Sequence, residues 1–570
     1  SYLRVLGARF AKANPTLAGF LAREAEARRG ERLLEAVAFL TARLRQRVDD
    51  ELPELANDLL QLVYPQLVTP IPPATIVAFR HKEGEDAGVV EVPRNTRVAS
   101  EKVDDVSCLF TTRYPLAVLP LEVGRVSLDN RASSARLSIE LLAAQKLDPA
   151  AVAGRALRLH FASDRETAVG RTLHLWLTRH LKEAELEIDG VGTLKLPPDI
   201  VKPVGFGADD DVIPAPARGF AGYRILQEYL ALPSKFLFVD VDCFGSLPKS
   251  DARRLTLHFT TARAFPPEVR VQAHHVVANA TPAVNLFEAD AVPLAIDRQR
   301  AQYRVVPTSG DQTIYRVDQA IGYVRGSNRR VHYQPFESFQ HDRRSATSPG
   351  HFFRTIPRPS VVRDTVDLYI NFVDGESRSI DPEADSVSLK VTASNGAVAH
   401  LLPAGSVTRP TGNTPSGLAF RNVSTVTAEV PPPLTDREQW LLVSTLARNF
   451  NSVLGIDRLR GTLAAFDFRA RADVTARQSL ENLLGAIERL EVRPFDLFID
   501  GRPTRSRRIV LGVREERIGG EGELHLLGSV VNAFLAVFAA VNTHHVFRIE
   551  GISSNVGYEW PARPGEPRPS

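Results

Sequence analysis

Histidine and aspartate clusters are the first groups in the chain that could bind a metal. Histidines are adjacent at His274-His275 and at His544-His545, and three aspartates follow one another from position 209. Neighbouring side chains point to opposite faces of a strand or lie about 100° apart on a helix, so neither histidine pair chelates an ion by itself. The aspartates lack the alternating ligands of a calcium loop, which favours a solvated loop. We therefore expect no metal site here.

Thiols and guanidinium groups offer two further kinds of chemistry. Cys108 and Cys243 lie in apolar, strand-like surroundings, which predicts buried and inert thiols. A basic cluster precedes a predicted strand, and its members are Arg502, Arg505, Arg507 and Arg508. The interpretation that we favour for this cluster is a solvated hairpin turn, and the alternative is a surface that binds an acidic partner.

Motifs that cradle phosphate, expose a nucleophile or bind catalytic zinc do not occur in the sequence. The chain has no GxGxxG, GxxxxGK[ST], GxSxG or HExxH pattern. We therefore predict no cofactor, no metal and no catalytic residue. The residues favour a multidomain scaffold or binding protein, and they leave open an enzyme whose site is assembled from scattered positions.

Length and charge narrow the class of protein. The chain has 570 residues, which predicts three to five domains. Seventy basic residues against 67 acidic ones give a net charge of +3, too balanced for a protein that binds nucleic acid. Large apolar residues in 524–541 recur with helical period, which indicates a core helix rather than a membrane span. We expect an intracellular protein without direct membrane insertion.

The N-terminal segment carries the pattern of a helical hairpin. Apolar residues recur along one helix face, and they are Leu33, Val37, Leu40, Leu44 and Val48. A second helix is predicted over 52–64, and Pro65 and the prolines of 70–73 end it. The hairpin could pack on its own domain. Two helices alone cannot close a core, so the alternative is a bundle shared with a partner chain.

The middle of the chain switches to strand patterns. Alternating apolar and polar residues predict strands at 157–161, 255–259, 366–372 and 387–391. A helix is predicted over 165–184, with Trp176 on its inner face. Antiparallel sheets with one wet face show this alternation.

The C-terminal third returns to mixed patterns. Glycine and proline make 403–433 loop-rich. Helices are predicted near 440–449, 480–490 and 526–541, and strands near 496–499 and 509–513. The fold class is α+β, with an N-terminal helical hairpin, mainly antiparallel β domains and a C-terminal α+β domain. The predicted divisions are 1–73 (helical), 74–245 (first α+β domain), 246–402 (β-rich), 403–433 (connection) and 434–570 (C-terminal domain).

Stretches spread over nearly the whole chain resemble the TssF family (also VasA or ImpG) of type VI secretion baseplate subunits. They occur in order at 31–35, 39–44, 49–55, 64–65, 70–72, 203–206, 222–229, 233–238, 281–288, 303–307, 526–530, 534–538, 541–542 and 560–565. The stretch from 222 to 238 is the most specific. The signature residues are Gly222, Tyr223, Arg224, Gln227, Glu228, Tyr229, Asn285 and Phe287. For the 222–229 stretch we expect a conformational role, with Gly222 in a tight turn and the tyrosine hydroxyls near a surface.

The resemblance implies a structural role in a contractile machine. It implies a fold similar to the wedge proteins of phage tail baseplates, two TssF copies joined to one TssG, and attachment of TssK and TssE around a VgrG spike hub. It also implies a place in the bacterial cytoplasm, docked at the inner membrane, with indirect links to the membrane complex and to the sheath that the baseplate triggers. No catalytic residue belongs to this family. The alternative is the equivalent wedge subunit of a phage tail or an extracellular injection particle.

Overall fold

A computed structural model shows a chain of sheets tied together by a few helices. It describes residues 56–57, 59–61, 64–84, 88–143, 145–163, 168–214, 221–245, 247–248, 252–336, 351–360, 365–374, 379–446, 455–499, 502–536 and 544–564. Strands make up 43% and helices 23% of the structure, so the predicted mixture of sheets and helices is confirmed. The predicted N-terminal helix over 33–48 lies outside the described residues and stays a prediction.

The helices are short and separated by sheet segments. The α-helices are α1 (Pro149–Val152), α2 (Val169–Arg179), α3 (Ala221–Ala231), α4 (Gly396–His400), α5 (Asp436–Leu446), α6 (Ile456–Phe466), α7 (Arg469–Ala472), α8 (Val474–Ala486) and α9 (Glu521–Ala536). Short 3-10 helices cover Pro65–Leu67, Pro233–Phe236, Ala273–His275 and Glu515–Arg517. Within the described ranges, no helix has both the length and the apolar character that crossing a membrane requires.

The strands account for most of the regular structure. In chain order they are β1 (Ala74–His81), β2 (Val90–Val92), β3 (Arg97–Val103), β4 (Val106–Thr112), β5 (Leu116–Val118), β6 (Leu121–Asn130), β7 (Ala135–Ala143), β8 (Leu157–Phe161), β9 (Leu181–Ile188), β10 (Gly192–Leu196), β11 (Val201–Val204), β12 (Phe238–Val241), β13 (Arg254–Thr261), β14 (Val276–Ala278), β15 (Ala280–Val284), β16 (Phe287–Asp290), β17 (Leu294–Ala295), β18 (Tyr303–Arg304), β19 (Thr313–Tyr323), β20 (Arg330–Pro335), β21 (Phe352–Pro359), β22 (Val366–Val373), β23 (Ser386–Ser394), β24 (Arg409–Pro410), β25 (Leu418–Asn422), β26 (Ile487–Ile499), β27 (Arg502–Val513), β28 (His544–Gly551) and β29 (Gly557–Pro564).

These strands form several sheets. Sheet A has the order β24-β3-β4-β15-β1-β25, sheet B is β10-β9-β13-β7-β6, and sheet C is β11-β12-β8-β14. Sheet D has the order β16-β23-β19-β20-β21-β22-β18, and sheet E is β26-β27-β28-β29. Pairing is antiparallel except between β20 and β21 and between β27 and β28. The four strands predicted in the middle of the chain are confirmed as β8, β13, β22 and β23.

Two predicted helices are too long at their C-terminal ends. The helix predicted over 165–184 ends at Arg179, and β9 follows because Ala184, Leu186 and Ile188 alternate with charged residues and are buried. The helix predicted near 480–490 ends at Ala486, and β26 starts at Ile487. At the first place the strand period begins before any proline or glycine, whereas at the second Gly485 lies one residue before the helix end.

The helix predicted over 526–541 is confirmed as α9, whose described part ends at Ala536. Gly528 gives α9 room to lie against sheet E, because an added Cβ would come within 2.3 Å of the Trp560 ring. Trp176 is buried on α2, as predicted, and donates a hydrogen bond from Nε1 to the Ala264 carbonyl at 3.2 Å.

One continuous apolar core joins distant parts of the chain. It includes Leu257 of sheet B, Leu173 of α2, Leu226 of α3, Phe534 of α9 and Ile549 of sheet E. Separate cores fill sheet A and sheet D. The predicted domain boundaries stay predictions, although β25 lies within 403–433 and pairs with β1 at the edge of sheet A.

Candidate functional site

Helix α3 carries most of the signature residues and is buried from Gly222 to Ala231. Gly222 lies inside this helix rather than in a tight turn, so that expectation is wrong. The Tyr223 ring stacks on Phe466 of α6, with centroids 5.3 Å apart and planes 6° from parallel. It also meets Phe534 of α9 edge-on at 5.7 Å and Tyr64 at 5.8 Å. Tyr223 therefore joins the N-terminal segment to the C-terminal helices.

Glu228 and Lys235 form a buried ion pair below α3. The Lys235 Nζ lies 2.5 Å from Glu228 Oε2 and also donates to the Asp210 carbonyl at 2.7 Å. Glu228 Oε1 accepts hydrogen bonds from the backbone N–H groups of Val212 and Ile213 at 2.6 and 2.9 Å. Burial lowers the pKa of Lys235, and the charge of Glu228 offsets part of that effect.

Arg224 holds the neighbouring loop by its carbonyl groups. Its Nη1 donates to Ala208 O at 2.8 Å and its Nη2 donates to Gly207 O at 2.6 Å. The side chain is buried with Nε 3.8 Å from Glu228 Oε2. Arg224 and Glu228 thus fix the segment from 207 to 213 against α3 with charge-assisted hydrogen bonds.

The expectation of a solvated loop is wrong for Asp211. This side chain is buried and forms ion pairs with Arg94 and Arg113, which flank sheet A. Burial alone would raise the pKa of Asp211, but Arg113 and Arg94 together lower it. Asp210 is also engaged, because its Oδ2 accepts from the Gly205 and Gly207 N–H groups at 3.0 and 2.8 Å. Asp210 and Asp211 therefore bind groups of the protein itself rather than a metal cation.

Gln227 and Tyr229 extend the contacts of α3 in two directions. Gln227 Nε2 donates to the Gln66 carbonyl at 3.5 Å, next to the N-terminal segment. The Tyr229 hydroxyl donates to Glu523 Oε1 of α9 at 2.5 Å, and both groups are buried. Burial, reinforced by Glu523, holds the pKa of Tyr229 well above its ordinary value. The expectation that the Tyr229 hydroxyl lies near a surface is therefore wrong.

Asn285 and Phe287 lie where the chain passes from sheet A to sheet D. Asn285 is fully buried, and its Nδ2 donates to Leu109 O at 2.7 Å and to Asn395 Oδ1 at 2.8 Å. Its Oδ1 accepts from the Asn395 N–H at 2.6 Å. Phe287 is also buried and pairs in register with Ala393. Asn285 therefore connects the two sheets by side-chain hydrogen bonds, at a distance of about 60 residues from α3 along the sequence.

Sequence reasoning missed the partners that complete this arrangement. Arg94 and Arg113 lie about 100 positions before Asp211, and Glu523 lies 294 positions after Tyr229. Lys235 belongs to the 233–238 stretch, but its burial had no local signal. The bundle candidates Leu33, Val37, Leu40, Leu44 and Val48 lie outside the described residues.

The other candidate groups serve structural contacts. His275 Nδ1 faces the Gln272 N–H at 3.0 Å, and His545 Nε2 lies 3.1 Å from Asn532 Oδ1. In the part of the chain that the structure describes, no three His, Cys, Asp or Glu side chains are placed to hold a metal ion. Both thiols, Cys108 and Cys243, are buried and free, as predicted.

The arginine cluster lies on a strand rather than in a turn. Its members Arg502, Arg505, Arg507 and Arg508 all belong to β27, so the expected turn is wrong, but β27 forms a hairpin with β26 as expected. The strand is longer than predicted because β26 pairs with it along its whole length. Arg508 covers the Phe495 ring at 5.4 Å, which explains how a charged residue is accommodated on this hairpin.

Comparison with known proteins decides the family. Residues 1–567 match the family model described as "Type VI secretion system, TssF". The chain belongs to the TssF family. The resemblance seen in the sequence is thereby confirmed, and the matching family is that of type VI secretion rather than of a phage tail.

Relatives of this TssF-family chain span its whole length. It is 24% identical over 616 residues to type VI secretion system component TssF1 of Pseudomonas aeruginosa, covering 99% of this chain and 97% of that protein. A chain in the cryo-electron microscopy structure of the TssK-TssF-TssG baseplate subcomplex matches with a TM-score of 0.79 and 26% identity, over 94% of this chain and 99% of that one. A chain of a type VI baseplate complex shares the fold, with a TM-score of 0.61 and 24% identity over 100% and 98% of the two chains.

Proposed function

We propose that this TssF-family chain is a wedge subunit that assembles with TssG and TssK in a type VI secretion baseplate. The observation that carries the proposal is the match, over nearly the entire length of both chains, to a chain of the TssK-TssF-TssG subcomplex. A likeness of this extent includes the regions through which that chain meets its neighbours.

The proposed assembly contains two copies of this chain for each TssG. TssE and the VgrG hub complete the baseplate, and the sheath and membrane complex are linked indirectly. The location is the bacterial cytoplasm at the inner membrane. The role is structural and without catalysis, and the burial of the signature residues in protein contacts supports this.

Helix α3 supports a role in relaying movement. Tyr223, Glu228 and Tyr229 contact α6, the 207–213 segment and α9, respectively. Because packed elements move as rigid bodies, a displacement of α9 and sheet E would carry α3 and its ion pairs along. We infer that this continuous core transmits the trigger for sheath contraction from one part of the wedge to another.

The N-terminal residues supply the proposed link to TssG. The apolar face from Leu33 to Val48 would complete a helical bundle with TssG and the second copy of this chain. In this proposal residues 1–73 form the helical arm that enters the bundle. The separate domains are residues 74–245, 246–402 and 434–570, and residues 403–433 connect the last two.

Co-expression with the TssG and TssK encoded beside it tests the proposal. Native mass spectrometry of the purified complex should give two copies of this chain per TssG. Replacing Leu40 and Leu44 by Asp should abolish co-purification with TssG and leave circular dichroism unchanged. The matched control, Leu401→Asp, changes a leucine that is 57% exposed and should bind normally. A wild-type chain that stays monomeric with TssG and TssK present contradicts the proposal, and binding by the double variant contradicts the bundle.

A further inference from the structure

A cavity of about 330 Å³ opens between the helices that surround Tyr229. We call it the arginine pocket, because arginines from three separate elements line it. They are Arg171 of α2, Arg469 of α7 and Arg517 of the last 3-10 helix. The volume equals that of roughly eleven water molecules in the liquid, so the cavity can hold a complete side chain and part of a backbone.

The charges in the arginine pocket do not balance. Arg171 Nε lies 2.5 Å from Glu523 Oε2, and Arg469 Nε lies 3.5 Å from Asp467 Oδ1. Arg517 is exposed and donates from Nη1 to the Gly485 carbonyl at 3.4 Å. Among the described residues, no carboxylate lies within ion-pair distance of Arg517. Within the lining, three guanidinium groups therefore face two carboxylates. Glu488, whose pKa Arg517 helps to lower, lies outside the lining and is paired with Arg514.

The walls of the arginine pocket combine apolar side chains with these charged groups. The apolar lining consists of Leu230, Pro233, Leu480, Leu483 and Ile518, and Ser479 and Asn482 add hydrogen-bonding groups. A free inorganic anion would leave the apolar wall in water. A ligand with a carboxylate next to an apolar group would use both surfaces.

We propose that the arginine pocket receives an acidic side chain, flanked by apolar residues, from another baseplate subunit. The planar fork of Arg517 suits bidentate binding of a carboxylate, and arginine anchors are enriched at protein interfaces. The inference rests on the proposed function, because it requires that this chain assemble with other subunits. It adds a contact beside Tyr229 and Leu230 of α3, whereas Arg224 and Glu228 hold the 207–213 segment.

Charge reversal at Arg517 tests the inference. The complex of the full-length chain with TssG and TssK is compared for wild type, Arg517→Glu, Arg517→Lys and Arg125→Glu, by calorimetry at two salt concentrations. Arg125 is an exposed arginine on β6, away from the pocket, and is the matched control. We expect binding to weaken about tenfold or more for Arg517→Glu. Arg517→Lys should lie between that variant and wild type, because lysine keeps the charge but loses the bidentate fork, and the control should be unchanged.

Cross-linking identifies the occupant. With Asn482→Cys at the pocket wall, a short bifunctional reagent should join this position to a partner peptide that contains Asp or Glu beside an apolar residue. The inference is overturned if Arg517→Glu binds as wild type, or if the cross-linked peptides lack an acidic residue. It is also overturned if inorganic phosphate raises the melting temperature of the isolated chain through Arg517, which would make the pocket a small-anion site. Failure of the wild-type chain to assemble overturns the proposed function as well.

Discussion

The ion pair between Glu228 and Lys235 allows a quantitative test of what holds α3 in place. Both side chains are essentially unexposed. Replacing Glu228 by Gln keeps an oxygen for the Val212 and Ile213 N–H groups but removes the negative charge. Breaking a buried pair in this way leaves an uncompensated cation, which typically costs about 3–5 kcal/mol. We expect the Glu228→Gln variant to lose stability by that amount around α3 and the 207–213 segment.

Hydrogen exchange measures this loss of stability at individual backbone amides. At about 1.4 kcal/mol for each factor of ten, the amides of Val212 and Ile213 should exchange roughly 140 to 4,000 times faster in Glu228→Gln. The Glu228→Gln/Lys235→Met double variant removes both charges, so it should exchange more slowly than the single variant.

The pH dependence gives an independent check of the same reasoning. Burial already lowers the pKa of Lys235, and the loss of Glu228 lowers it further. Between that folded-state pKa and the unfolded value of about 10.4, the unfolded chain binds more protons, so stability rises with pH. The deficit of Glu228→Gln should therefore shrink as the pH rises toward the unfolded value of about 10.4. A deficit that is independent of pH, together with a double variant no more stable than the single one, would refute the buried-charge account.

Two further predictions concern α2, α6 and α9. Burial lowers the pKa of His174 to about 4, so the fold favours the neutral ring, and this residue alone should cost about 2 kcal/mol of stability between pH 7 and pH 5. His160, His180, His525 and His545 also have lowered pKa values, so His174→Leu should reduce the slope in urea unfolding curves by about that share, and an unchanged slope would contradict the assignment. Gly528→Ala should destabilise by about 1–3 kcal/mol because its Cβ would strike the Trp560 ring, whereas Gly461→Ala, with open space in α6, should stabilise by up to about 1 kcal/mol. Melting temperatures of the two alanine variants should move in opposite directions, and a fall in both would contradict the packing argument.

Local patterns were sufficient to predict single elements. The alternation at 157–161 and 366–372 marked strands correctly, because one face of each is buried and the period is independent of the neighbour. The helix over 165–184 was too long because its last residues are good helix formers, and only pairing of β9 with β13 decides their structure. The pairing of β9 with β13 therefore outweighs the intrinsic helix propensity of these residues.

The contacts that make the candidate site could not be predicted from local patterns. The family stretch at 222–229 drew attention to α3, but neither composition nor spacing indicates that Asp211 will face Arg94 and Arg113. Buried ion pairs of this kind depend on which elements the fold brings together. The arginine pocket is another example, since Arg171 and Arg517 are far apart in the sequence.

The pairing of β1 with β25 has a consequence for synthesis of the protein. Thr75 and Ser424, which hydrogen-bond beside this pairing, lie 349 positions apart, and sheet D is made entirely from the chain between them. At translation rates of about 5–20 residues per second, the β1 edge waits roughly 20–70 s for its final neighbour. Sheet D can therefore fold on the ribosome while sheet A still has an open, apolar edge. Nascent chains stalled before residue 418 should accordingly be the species that aggregate or engage chaperones.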